Sequence, residues 1–139
     1  MRLPGLAVVC CLGTSAFAQG PAVFKTRLSP VAMDATMRTT VAGSGAVSAR
    51  LAGSKLTVAG SFEGLLSPAT IAQVRRSPVT AVRGPAVFDL TVTKATSGTI
   101  SGSFDLAPGQ IEDLRKGRLY VQIHSEKAPE GNLWGCLLP

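Results

Sequence analysis

The chain has 139 residues, 45% of them apolar and 5% aromatic, with 14 basic against 8 acidic side chains and a formal charge of +6. That length fits one domain, which typically runs about 100–150 residues, and is too short for two. The basic residues are scattered, with short clusters at Arg75-Arg76 with Arg83 and at Arg115-Lys116 with Arg118. With no run of like charge and little aromatic interleaving, this pattern argues against nucleic-acid binding.

Export is the first expectation along the chain. Arg2 supplies a positive n-region, Leu6 to Leu12 an apolar h-region, and Ala16-Phe17-Ala18 a small-x-small cleavage site. Cleavage after Ala18 leaves Gln19 as the first mature residue, giving a signal peptide over 1–18 and one domain over 19–139. The apolar run falls well short of the about 20 residues a bilayer span needs, so no membrane span is expected after cleavage. Acylation at Cys10 or Cys11 is disfavoured because Val8-Val9 and Val9-Cys10 precede them instead of a small pair. The expected location is therefore periplasmic or secreted. Losing Arg2 takes the charge from +6 to +5. Of three cysteines only Cys136 remains, which excludes an intramolecular disulfide.

Beyond the leader, β-branched and apolar residues fall on alternate positions, with Gly or Ser at the ends of each run. That period predicts half-buried antiparallel strands. Val23 to Leu28 reads as a first strand, and Ala46 to Leu51 with Lys55 to Phe62 as a hairpin across Ala52-Gly53-Ser54. Ser67-Pro68-Ala69-Thr70 offers a turn that Ser67 can cap, but β-branched Ile71 and Val74 speak against a longer helix there. Ala86 to Val92 and Gly98 to Leu106 flank a polar turn and should pair antiparallel. One short helix is expected from Pro108 to Gly117, with Ile111 and Leu114 on the face covering the end of the sheet. Arg118 to His124 and Asn132 to Leu138 form a last pair across Pro129-Glu130-Gly131. About eight short strands imply an all-β antiparallel sandwich or barrel with Greek-key connections and one short helix.

Chemistry is sparse. A catalytic metal site draws on three or four converging ligands, and His124 is the one histidine in the chain. His124 with Cys136 is a two-ligand candidate for a soft ion, and a structural or surface histidine is the preferred reading. Cys136 reads as a buried thiol among Leu133, Leu137 and Leu138, with an intermolecular disulfide linking a dimer as the rival. No orienting group or oxyanion donor accompanies it in any recognisable motif. Glu112 and Asp113 are accounted for by the helix dipole, and Asp89 and Asp105 by the solvated face of a sheet. Tyr120 and Trp134 are expected in the core. No enzyme activity and no cofactor are expected.

The C-terminal half resembles the chordin-type (CHRD) domain. The resemblance rests on Gly117-Arg118-Leu119-Tyr120-Val121-Gln122-Ile123-His124-Ser125 and on Pro129-Glu130-Gly131-Asn132-Leu133-Trp134-Gly135-Cys136-Leu137. Upstream, Gly64-Leu65 with Ser67 to Thr70, and Gly84 to Leu90, fall where that family has similar segments. The resemblance spans about Phe24 to Leu138 and implies a non-catalytic interaction or structural module. Two departures stand out. A His-x-His common in the family is replaced by Gln73-Val74-Arg75, and the usual Gly-Glu-Ile-Arg-Gly-Gln-Leu ending reads Gly131 to Leu137 here, losing a glutamate and gaining a thiol. The residues therefore predict an exported binding or structural module, with a secreted metal-handling or redox protein as the alternative. Gln73, Arg75, Arg76 and Arg83 gather polar and positive groups near two loop signals, Ser77-Pro78 and Gly84-Pro85. They are the expected contact for an acidic protein or envelope glycan.

Overall fold

The computed structural model describes residues 22–30, 35, 39–78 and 83–139. The expected leader and its cleavage point at Ala18 and Gln19 lie outside the described residues, as do 79–82 in the basic segment. Alternation yields eight strands: β1 (Ala22–Pro30), β2 (Ser44–Ala52), β3 (Lys55–Glu63), β4 (Ala69–Arg76), β5 (Ala86–Val92), β6 (Gly98–Asp105), β7 (Leu119–Ser125) and β8 (Leu133–Cys136). They close into an antiparallel barrel in the order β1-β2-β3-β6-β5-β4-β7-β8, with β8 returning to β1. The meander β4-β5-β6 is flanked by β3 on one side and β7 on the other. Each set of four is a Greek key, as the sequence predicts.

Short-range signals set the register. Gly53, at φ +64°, turns β2 into β3, and nine residue pairs from Ser44↔Glu63 to Ala52↔Lys55 follow. The pair β5 and β6 is antiparallel as expected but short, joined at Thr91↔Ser101 and Val92↔Ile100. The earlier part of β5 turns away to pair with β4. At the opposite corner β1 turns from β2 to β8 through Ser29↔Trp134 and Pro30↔Leu133. These two split strands close the barrel and leave it no long open edge.

Inward positions are apolar all round: Phe24 and Leu28 from β1, Leu56 and Val58 from β3, Val121 and Ile123 from β7, Leu133 from β8. The helix α1 (Pro108–Arg115) covers one end. Its start is fixed by Pro108 and by Gln110, whose Oε1 accepts the Ala107 N–H at 2.8 Å. Its exit is Gly117 at φ +73°. Leu114 is fully buried in the core and Ile111 packs partly against it, the face the spacing predicts. Around Ser67 no helix forms. The chain enters β4 at Ala69, and Ser67 Oγ instead accepts the Lys127 N–H at 2.9 Å.

Candidate functional site

Strand β7 is buried at every position. Leu119, Val121 and Ile123 join the core, while Tyr120, Gln122 and His124 alternate to the outer face. That outer face is covered by chain around Gly84 and by the loop from Pro129 to Asn132. Tyr120 Oη accepts the Gly84 N–H at 2.9 Å and donates to the Gly84 carbonyl at 3.2 Å. A side chain on Gly84 has no room, since a Cβ there would lie 1.7 Å from the Arg76 carbonyl oxygen. Gly131, at φ +131°, sits so close over Gln122 that a Cβ would meet its Nε2 at 1.9 Å. The Gln122 amide in turn donates to the Glu130 carbonyl at 3.2 Å.

Tyr120 and Trp134 meet edge to face at 5.2 Å between ring centroids. Tyr120 is fully buried, as expected, whereas half-buried Trp134 departs from the expected core position. They stand on the outside of the barrel wall, Tyr120 buried beneath the Gly84 segment and Trp134 half-buried. Cys136 is corrected likewise. Leu133 and Leu137 point inward, whereas Cys136 sits opposite Tyr120 on the outer face, half-buried with a free thiol.

His124 is 7% exposed. Its Nδ1 lies 2.8 Å from the Pro129 carbonyl oxygen, which can only accept, so Nδ1 carries the proton and Nε2 the lone pair. Burial pushes the imidazole below its ordinary value of 6.5, the hydrogen bond to Pro129 works the other way, and the charges of Arg75 and Arg83 lower it further. The buried Nε2 and Gln122 Oε1 find no hydrogen-bond partner among the described residues. The proposed partnership of His124 with Cys136 fails on register. Tyr120 is the residue opposite Cys136, so His124 stands four residues further along, about 13 Å by strand rise. The nearby arginine charges also oppose a bound cation. Among the described residues no three His, Cys, Asp or Glu side chains come together as a metal cluster.

The expected contact segment is brought together, and its polar groups are largely turned on the protein itself. On the outer face of β4, Arg75 Nη1 donates to Gln73 Oε1 and Arg75 Nε to the Gly84 carbonyl, both at 2.8 Å. Gln73 Nε2 donates to Asp89 Oδ1 at 3.1 Å. Arg83 donates to the Glu130 carbonyl. Arg76 is separated from the other three. Its Nε meets Asp113 Oδ2 of α1 at 2.6 Å, and that contact holds its guanidinium above its ordinary value. Asp113 is therefore no helix-dipole residue: it is a buried carboxylate that ties α1 to β4, with Arg118 Nη1 at 4.0 Å on its other oxygen. Glu112 instead pairs with Lys116 at 2.6 Å one turn on, which lowers the carboxyl from its usual range. Sequence reading missed the Arg76–Asp113 pair because its members are far apart in the chain. The acidic residue in the second turn of α1, on the side of the core residue Leu114, was the available signal.

Sequence reading also passed over the outer face of β1, β2 and β3. Lys25, Arg27 and Arg50 are all exposed there, and a shallow groove runs beside Lys25 and Arg27, lined in part by Ala46, Ser48, Ala59 and Ser61. No curated protein and no solved structure matches the chain. A family model, the CHRD domain, matches residues 24–137, from the first core residue of β1 to the last buried leucine after β8. With nearly the whole described barrel inside that match, the chain belongs to the CHRD domain family.

Proposed function

We propose that this CHRD domain is an exported, non-catalytic binding module that acts on an acidic partner in the periplasm, the cell envelope or the extracellular space. The observation that carries the reading is the filling of the barrel. Its interior is packed with apolar side chains from every strand, so recognition falls to the outer surface, and that surface belongs to a chain whose net charge of +6 becomes +5 once Arg2 is removed. Basic side chains favour anionic partners and make contacts that weaken as salt rises. Export is supported by Arg2, the apolar run Leu6 to Leu12 and the small-x-small site ending at Ala18. At Gln73, Arg75 and Arg83, an acidic ligand would compete with the bonds these groups already make to Asp89, Gly84 and Glu130.

Fractionating an expressing cell and weighing the intact exported protein, with metal analysis of the same sample, tests the reading. The expected protein begins at Gln19, lies outside the cytoplasm and carries no stoichiometric metal. A mass retaining Met1 to Ala18, or one copper or zinc per chain lost when His124 is replaced, overturns it.

A further inference from the structure

From the outer face of β1–β3 we infer a docking surface for an acidic polysaccharide, centred on Lys25, Arg27 and Arg50. The inference rests on the reading of the domain as a binding module and names the place and the class of partner. Register puts the three cations on one face. Val23 stands opposite Arg50, Lys25 opposite Ser48 and Arg27 opposite Ala46. Beyond them, β3 places Thr57, Ala59 and Ser61 in the same three rows, and β6 adds Ser103, Ser101 and Thr99. No carboxylate stands in these rows, and Glu63 and Asp105 fall beyond their two ends. Unlike Arg75, Arg76 and Arg83, the side chains of Lys25, Arg27 and Arg50 make no hydrogen bond or ion pair among the described residues. Their charge is available to a ligand without displacing anything.

The shape and chemistry of the floor narrow the partner. Lys25 and Arg27 are two residues apart on one strand, about 7 Å, and each neighbouring strand adds about 5 Å across the face. Beside Lys25 and Arg27 the groove floor is Ala46, Ser48, Ala59 and Ser61, small side chains that leave room for a thin chain lying on the sheet, and Arg50 stands one row beyond its end. No aromatic stands in the three rows, so the stacking that holds single-stranded nucleic acid is missing. Exposed Val23 and Leu138 stand at the margin, opposite Arg50 and Lys25, and the groove floor itself carries no bulky apolar anchor that a folded protein partner or a membrane would engage. An extended polymer bearing carboxylate or sulfate groups and hydroxyls meets both features. Its anions pair with the three cations, and its hydroxyls exchange hydrogen bonds with Ser48, Ser61 and their neighbours.

Titration of the purified protein with oligogalacturonate and with sulfated dextran, over a range of salt, tests the inference. In the variant Lys25→Gln/Arg27→Gln/Arg50→Gln, affinity is expected to fall by about tenfold or more and its salt dependence to flatten. Lys94→Gln/Arg115→Gln/Lys127→Gln removes the same charge from exposed positions elsewhere and should leave affinity within about twofold, the margin expected of distant screened charges. Ser48→Glu keeps all three cations, puts an anion on the floor and should weaken binding too. Equal losses in the two triple variants overturn this face while leaving a basic binding module standing. Tighter binding to phosphatidylglycerol vesicles or to a single-stranded oligothymidylate overturns the class of partner. Failure to bind either polysaccharide overturns the inference, and failure with every polyanion also overturns the reading on which it rests.

Discussion

His124 illustrates what a covered outer face does to a single residue. On a bare barrel wall its ring would stand in water. Here the Pro129 loop lies over it, accepts its Nδ1 proton and leaves Nε2 buried. The positive charges of Arg75 and Arg83 also work against protonation. The sign of the pH effect follows. The folded state holds the imidazole below its ordinary value of 6.5, so the unfolded chain binds the proton first as pH falls. The stability that the neutral ring contributes is complete above pH 6.5 and is lost progressively below it, down through the lower folded value. Urea melts at a series of pH values should therefore show a decline that begins below about pH 6.5, ahead of the carboxylate titrations near pH 4. His124→Asn, which keeps a donor for Pro129, should lack that early decline. An unchanged profile in the variant would mean that other groups set the slope.

At the scale of elements, the helix does more than its length suggests. Eight residues are too few to hold a helix in water by propensity, so α1 persists through what it touches. Leu114 enters the core, Ile111 packs beside it, and Asp113 reaches Arg76 on β4 at 2.6 Å. Contacts from Ile111, Asp113 and Leu114 make this short helix a stopper for the end of the barrel. Leu114→Ala should cost about 2–5 kcal/mol, the range for emptying a well-packed leucine site, because β strands on either side cannot collapse into the space. A denaturant melt checks this. A loss below about 1 kcal/mol, comparable to a surface change, would show that α1 is not needed to seal the core.

Closure is the property of the whole molecule, and it depends on the last few residues. Strand β8 is only Leu133–Cys136, yet it pairs with β7 on one side and β1 on the other. Just beyond it Leu137 is fully buried, and Leu138 exchanges both backbone hydrogen bonds with Lys25, at 2.8 and 3.1 Å. Deleting residues 133–139 removes these bonds, uncovers β1 and β7, and takes two buried leucines from the core. The expected result is loss of the cooperative thermal transition, with most strand signal gone from circular dichroism. A truncated protein that melts cooperatively near the intact temperature would show that seven strands and α1 suffice.

The sequence by itself determined seven of the eight strands, their hairpins, the helix and the all-β class, because each depends on neighbours within a few positions, whereas β4 (Ala69–Arg76) is legible only as a turn at its start. Alternation in Lys55 to Phe62, Gly53 at the turn, and Pro108 with Gly117 around the helix are local signals, and the last third of the chain also carries the family resemblance. Only the tertiary structure decided which barrel face each candidate residue occupies and what lies over it. Alternation assigns Tyr120, Gln122 and His124 to one side of β7, but that side is sealed by Gly84 from far along the chain together with Gly131 of the adjoining turn. The same holds for charge. In the sequence Arg75, Arg76 and Arg83 form the conspicuous cluster, while Lys25, Arg27 and Arg50 are isolated residues. Strand register reverses that order by spending the first group on Gly84, Asp113 and Glu130 and setting the second side by side in solvent. Electrostatic availability is a property of three-dimensional neighbours, and residues some 25 positions apart become neighbours only when β1 and β2 pair.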